Sequence, residues 1–242
     1  MEYDKSQGIS EFRNGLKKLN ISLDDNQMEQ FLDYYQLLIE WNKKINLTSI
    51  VDFIEVIRKH FIDSLSIVKV FSPHKEKILD LGTGAGFPGI PIKIAFPDSK
   101  IVLLDSLNKR IKFLDEVIRK LNLRDIVALH GRAEDFGKDD AYRETFDLCT
   151  SRAVAKLSTL SEYCIPFVKV GGAFISYKAG QVATELEEAK KAIDILGGRI
   201  IKTEEFELPS TDMSRSLVLI KKVSKTPKNY PRTAGKPTKD PL

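Results

Sequence analysis

Apolar positions in the first seventy residues recur at helical spacing, with almost no strand signal. Phe12, Leu16 and Leu19 stand four and three apart. Met28, Phe31, Leu32, Tyr35, Leu38 and Ile39 form a longer stripe, and Ile54, Ile57, Phe61, Leu65 and Val68 a third. Such stripes put one apolar face on each of three helices. Ser22 is the expected N-cap of the second, with Asp24 and Asp25 in its first turn, where carboxylates suit the helix dipole.

The pattern changes at Ser72-Pro73-His74. Ile78–Leu81, Ile101–Leu104, Ile126–Leu129, Phe146–Thr150 and Ala173–Tyr177 are short apolar runs of the kind buried strands show. Helical patterns over Ile90–Phe96, Asn108–Leu121 and Lys156–Val168 separate several of them, and that alternation predicts a parallel sheet covered by helices on both faces. A charged helix over Val182–Leu196 stops at Gly197-Gly198. The runs Ile200–Leu208 and Leu217–Val223 follow with no helix between them, so a hairpin joins them. The expected architecture is therefore α/β. It resembles the class I methyltransferase (Rossmann-like) fold: a seven-stranded, mostly parallel sheet with an antiparallel C-terminal hairpin and an N-terminal helical extension. The expected division is 1–71 for the extension, 72–224 for the sheet domain and 225–242 for a basic, proline-punctuated tail.

Composition narrows the class. With 42% hydrophobic and 30% charged residues, the chain can bury a sizeable core. The charged start, Met1–Lys5, has no apolar stretch, so no signal peptide is expected, nor is a membrane span; the expected location is the cytoplasm. Cys149 and Cys164 sit among apolar residues and read as packed thiols, and His60, His74 and His130 lack metal-ligand spacing. No metal is expected. The net charge of +4 is concentrated at one end. Residues 221–242 hold seven Lys/Arg and one acid, leaving 31 basic and 33 acidic residues in the rest. On charge alone the tail is a solvated terminus or a polyanion-binding segment.

The chemistry centres on Leu79-Asp80-Leu81-Gly82-Thr83-Gly84-Ala85-Gly86-Phe87-Pro88-Gly89, a glycine-rich turn between a strand and a helix. Gly84, Gly86 and Gly89 also satisfy the dinucleotide fingerprint, so the glycines alone do not separate S-adenosylmethionine from NAD. Asp80, two residues before Gly82, favours S-adenosylmethionine, as an acid placed to help hold the cationic methionine end. The hairpin and the lack of a following substrate domain favour it too. Asp105 ends the second strand 19 residues past Gly86, where an acid can bind ribose hydroxyls in either class. Glu134, in the turn Gly131–Asp135, is placed to accept from the adenine amine. Arg152, in Ser151-Arg152-Ala153-Val154 after the fourth strand, stands where it can pin a carboxylate or phosphate. That turn is not the Asn/Asp-Pro-Pro-aromatic turn common in exocyclic-amine methylation, and neither cysteine is placed as a nucleophile. What remains is a target that is already nucleophilic. A guanine N7 fits, with a carboxylate, a thiol or a small molecule still open. A small-molecule methyltransferase and an RNA-binding module with a vestigial cofactor site are the competing readings.

Beyond these motifs the chain resembles the bacterial 16S rRNA methyltransferase G family (RsmG, or GidB) over nearly its whole length. The resemblance is carried by Trp41–Thr48, His60–Leu65, the glycine turn, Leu104–Arg110 and Arg132-Ala133-Glu134. Ser151-Arg152-Ala153, Lys178-Ala179-Gly180 and Tyr230–Pro237 complete it. It implies S-adenosylmethionine-dependent methylation of guanine N7 in 16S rRNA, at guanosine 527, by in-line transfer without a covalent enzyme intermediate. The implied partner is 16S rRNA or the 30S subunit, with neither DNA nor a membrane expected, and with a monomer as the expected state. By position the resemblance implies cofactor contacts at Gly82, Phe87, Ala133, Glu134 and Arg152, beside Asp80, Gly84, Gly86 and Asp105. Arg152 and Lys178 then face the RNA side, Lys178 as the candidate catalytic residue that orients the guanine. Arg215 and Arg232 join them as substrate-binding residues. Ala179 stands where the family often has Gly, and Ser216 replaces its usual histidine.

Overall fold

The computed structural model describes residues 5–153 and 155–242; Met1–Asp4 and Val154, the last residue of the Ser151–Val154 stretch singled out from sequence, lie outside them. Strands β1 (Lys77–Leu81), β2 (Lys100–Asp105), β3 (Ile126–His130), β4 (Phe146–Ser151), β5 (Val168–Ala179), β6 (Gly198–Glu207) and β7 (Ser214–Lys222) form one sheet in the order β3-β2-β1-β4-β5-β7-β6. Neighbours run parallel from β3 through β5, while β7 is antiparallel to both β5 and β6. This is the class I methyltransferase arrangement. Because β7 inserts between β5 and β6, the hairpin closes the sheet with its second strand inward.

Successive residues of one strand point to opposite faces, and the core divides accordingly. Ile78, Ile101, Leu103 and Leu148 pack with helices α1 (Lys5–Lys18), α2 (Asp25–Asn42), α5 (Gly89–Ala95) and α6 (Asn108–Lys120). Leu79, Leu104, Cys149 and Phe174 pack on the other face with α8 (Leu157–Cys164) and α9 (Ala183–Ile195). Both cysteines are buried free thiols.

Three local readings change. The cap of α2 is Asp24, not Ser22: its carboxylate accepts the Gln27 N–H at 2.7 Å while Gln27 Oε1 accepts the Asp24 N–H at 2.9 Å. Only Asp24 has a glutamine three residues on to complete this reciprocal pair. The third helix is composite, with α3 (Phe53–Val56), a π-helical stretch at Ile57–Ile62, α4 (Asp63–Leu65) and a 3-10 turn at Ser66–Lys69. β5 starts five residues early, because its pairing with β4 shifts between Phe146 and Leu148 and takes Gly171 and Gly172 into the strand. Short helices α7 (Ala133–Phe136) and α10 (Lys236–Lys239) fall where no periodicity could mark them. Among the described residues no helix is long and apolar enough to cross a membrane.

Candidate functional site

The turn after β1 owes its shape to backbone that side chains rarely tolerate. Gly82, Gly84 and Gly86 take φ of +70°, +63° and +94°. Gly89 is needed for proximity: a Cβ there would stand 2.3 Å from Leu103 Cδ2 and 2.8 Å from Asp80 Oδ2. Two carboxylates fasten the turn. Asp80 Oδ2 accepts from the Thr83 hydroxyl at 2.6 Å and the Gly89 N–H at 2.8 Å. Asp105 Oδ2 accepts from the Gly84 N–H at 2.9 Å, and its Oδ1 from the Leu107 N–H at 2.9 Å. From α2, the Tyr34 hydroxyl donates to the Ala85 carbonyl.

A cleft of about 410 Å³ opens over the carboxyl ends of β1–β3, its walls including Gly82, Asp105, Arg110, Ala133, Glu134 and Tyr163. This is where ligands bind in doubly wound folds. Arg110 Nη1 lies 3.1 Å from Asp105 Oδ2, and Glu134 Oε1 accepts the Gly235 N–H at 3.0 Å. Arg110 Nε on the cleft wall and Asp80 Oδ1, in β1 and fully buried, have no hydrogen-bond partner among the described residues. Burial pushes the Asp80 carboxyl up to about 6, against the opposing pull of its Thr83 and Gly89 hydrogen bonds and of Arg152. A buried, half-satisfied carboxylate is a site that a cationic ligand group would relieve. A glycine turn that admits close approach, with the carboxylates of Asp105 and Glu134 on the cleft wall, fits S-adenosylmethionine.

A second cavity of about 660 Å³ adjoins the first. Ala153 and Ala155, on the loop after β4, line both. Its charged walls are Lys59, Arg152, Lys156, Lys178 and Arg215 against Asp63 and Glu185. Asp63 is buried and shared: its Oδ2 is 2.8 Å from Arg152 Nη1 and its Oδ1 2.9 Å from Arg215 Nε. Arg152 also donates to the Lys59 carbonyl at 2.9 Å and lies 3.1 Å from His60 Nδ1. With that nitrogen accepting, His60 Nε2 carries the proton and donates to Thr48 Oγ1 at 2.9 Å. Burial, and then Arg152, lower the His60 pKa to about 3, so the ring is neutral. It stacks on Phe87 at 4.4 Å, and Arg152 lies over the Phe87 ring at 5.0 Å. Asn42 holds the preceding loop by accepting from the Leu47 and Thr48 N–H groups. Lys178 Nζ donates to Glu185 Oε1 and to the Ala155 carbonyl, each at 2.6 Å.

The residues singled out from sequence thus fall into three places. Gly82, Asp105, Ala133 and Glu134 line the first cleft, while Asp80, Gly84 and Gly86 hold its turn. Arg152, Lys178 and Arg215 meet at the second cavity, and Phe87 lies against His60 and Arg152 at its edge. Arg232 is at neither: it pairs with Glu162 of α8. Sequence reading gave no site role to Asp63, Tyr177 or Glu185, and His60 and Asp63 entered it only within the His60–Leu65 stretch and, for His60, as a non-ligand. One signal was available, the polar run His60, Asp63 and Ser64 inside an otherwise apolar helical segment.

The family model for rRNA small subunit methyltransferase G matches residues 27–217. The chain is 55% identical over 234 residues to "Ribosomal RNA small subunit methyltransferase G" of Lachnoclostridium phytofermentans, covering 96% of this chain and 97% of that protein. It is 53% identical over 228 residues to the protein of that name in Acetivibrio thermocellus, covering 94% of each. Among solved structures it is similar to a SAM-dependent methyltransferase from Aquifex aeolicus, with a TM-score of 0.51 at 17% identity over 69% of this chain and 92% of that one. TrmN from Thermus thermophilus gives a TM-score of 0.51 at 14% identity, over 69% and 53%. These two distant likenesses concern the fold.

Proposed function

The chain belongs to the rRNA small subunit methyltransferase G family, and from that membership we propose that it transfers a methyl group from S-adenosylmethionine to N7 of a guanine in 16S rRNA, guanosine 527 by family resemblance. The observation that carries this reading is the adjacency of the two cavities. The cleft suited to the cofactor shares the Ala153 and Ala155 wall with a pocket holding five cationic side chains and two carboxylates. That surplus suits a phosphate-bearing substrate.

Bound in the first cleft, the cofactor supplies a sulfonium methyl group. Asp105 would hold its ribose hydroxyls and Glu134 its adenine amine, and Asp80 would balance the charge of its methionine end. Guanine N7 presents a lone pair, so no side chain has to remove a proton before attack. His60, neutral and held between Thr48 and Arg152, is not needed as a base. The protein's work is alignment of the base on the methyl group and exclusion of water. Arg152, Lys178 and Arg215 hold the guanine and its flanking phosphates; their carboxylate partners Asp63 and Glu185 keep the arms in place and offset the positive charge that N7 gains.

Labelled cofactor and purified 30S subunits lacking the mark test this. Label is expected in 16S rRNA as N7-methylguanine, with Arg152→Met reducing incorporation. Transfer to small molecules only, or to another base position, would overturn the reading.

A further inference from the structure

The basic tail does not trail from the domain. Arg143 donates to the carbonyls of Thr226 and Tyr230 at 2.8 and 2.7 Å, and Glu144 accepts the Thr226 N–H at 2.8 Å. The chain then crosses α8. Arg232 meets Glu162 through Nε at 2.9 Å and Nη2 at 2.6 Å, and Glu162 also accepts the Arg232 N–H at 2.8 Å. The Glu162 side chain is only 1% exposed. A buried carboxylate held three times over by one residue is an anchor. Beyond it the Gly235 N–H reaches Glu134, the Thr159 hydroxyl donates to the Pro237 carbonyl at 3.1 Å, and Tyr163 and Thr238 hydroxyls are 2.9 Å apart. Glu134 and Tyr163 are both walls of the first cleft. The whole segment lies past residue 217, where the match to the family model stops.

We propose that residues 226–240 form a strap belonging to the cofactor site, in which the Arg232–Glu162 anchor brings the Gly235 N–H onto Glu134 and so positions the carboxylate that reads the adenine amine. This rests on the reading of the first cleft as the S-adenosylmethionine site. A carboxylate has two oxygens: the strap fixes Oε1, which sets the direction in which the group can accept from a ligand. Arg232 is then a positioning residue rather than an RNA contact, and the segment's basic charge serves the fold at Arg232. Because the strap acts on one end of the ligand, its loss changes discrimination between bases, which a general loosening of the protein would not do.

Calorimetric titration with S-adenosylhomocysteine and with its inosyl analogue, which carries an oxo group in place of the amine, reads that discrimination. The proteins are the full chain, the chain ended at Pro231, the same shortened chain with Glu162→Gln so that no buried charge is stranded, and full-length Arg232→Lys. Melting curves establish that each is folded. The full chain is expected to prefer the adenosyl ligand by roughly tenfold, about one charge-assisted hydrogen bond. Both shortened chains are expected to lose most of that preference with inosyl affinity nearly unchanged, and Arg232→Lys to fall between. A full chain with no preference would overturn the reading of Glu134 itself. Preference kept in the shortened chains, or equal loss for both ligands, would overturn the strap while leaving that reading intact.

Discussion

Asp80 shows how a residue that holds a turn together can also be poised for a ligand. Its Oδ2 ties Thr83 and Gly89 into the glycine turn, while its Oδ1 has no partner. The charged groups that act on it are Arg152, which favours the carboxylate, and Asp105, which opposes it; the Tyr34 and Tyr177 hydroxyls, whose own ionisation burial suppresses, donate elsewhere, to the Ala85 and Ser64 carbonyls. With the pKa raised from 3.8 to about 6, the folded chain without ligand holds this proton more tightly than the unfolded chain. Asp80 therefore costs stability as pH rises from 3.8 to about 6, and Asp80→Asn removes that slope from urea titrations. A cationic ligand reverses the preference by favouring the carboxylate. Cofactor affinity is expected to fall as pH drops through about 6, by up to roughly tenfold per unit, and to lose this dependence in Asp80→Asn; a flat profile in the parent protein would contradict the assignment. Asp63 makes a separate case. Removing it leaves two guanidiniums without their shared carboxylate, so Asp63→Ala is expected to reduce methyl transfer by roughly 10- to 100-fold. Cofactor affinity, measured alongside by calorimetry, should change less than twofold.

The N-terminal helices are structural neighbours of the site as well as its cover. Tyr34 of α2 supports the glycine turn, Asn42 positions the loop that meets His60, and the composite helix brings Lys59, His60 and Asp63 to the second cavity. A π-helical stretch widens the turn and offsets the residues that follow it, a feature frequent at functional sites. Close contact between α1 and this helix depends on Gly8, where a Cβ would stand 2.2 Å from the buried Phe53 ring. Gly8→Val is expected to cost about 1–3 kcal/mol in urea unfolding; an unchanged midpoint would show that the contact can yield. At this scale the limits of sequence reading are physical. Stripes such as Met28–Ile39 and runs such as Ile101–Leu104 report burial of one face or of a whole strand, so the helices, strands and hairpin were legible. The glycine turn and the placing of Asp105 and Glu134 at the cleft were legible because motif and position in the fold coincide. The register shift that admits Gly171 and Gly172 to β5 was not, since glycines carry no facing information. Nor was the network around Asp63, whose partners lie 89 and 152 residues away. Arg232 read as a substrate-binding cation in a basic tail because its partner, Glu162, is 70 residues away in sequence.

Across the whole molecule the two cavities and the strap form one continuous arrangement around α8 and the carboxyl edge of the sheet. Electrostatics at this scale is testable apart from chemistry. Lys156 stands at the mouth of the second cavity with its side chain 67% exposed. If it meets a phosphate, Lys156→Met should lower the salt slope of 16S rRNA binding by roughly 0.7, the value for one contact to single-stranded nucleic acid. An unchanged slope would place the RNA elsewhere. The central claim is the mark itself, and mass mapping of 16S rRNA from a strain with this gene deleted tests it most directly. N7-methylguanine at position 527 is expected to be absent there and to return with the intact gene but not with Arg152→Met. Persistence of the mark in the deletion strain would contradict it.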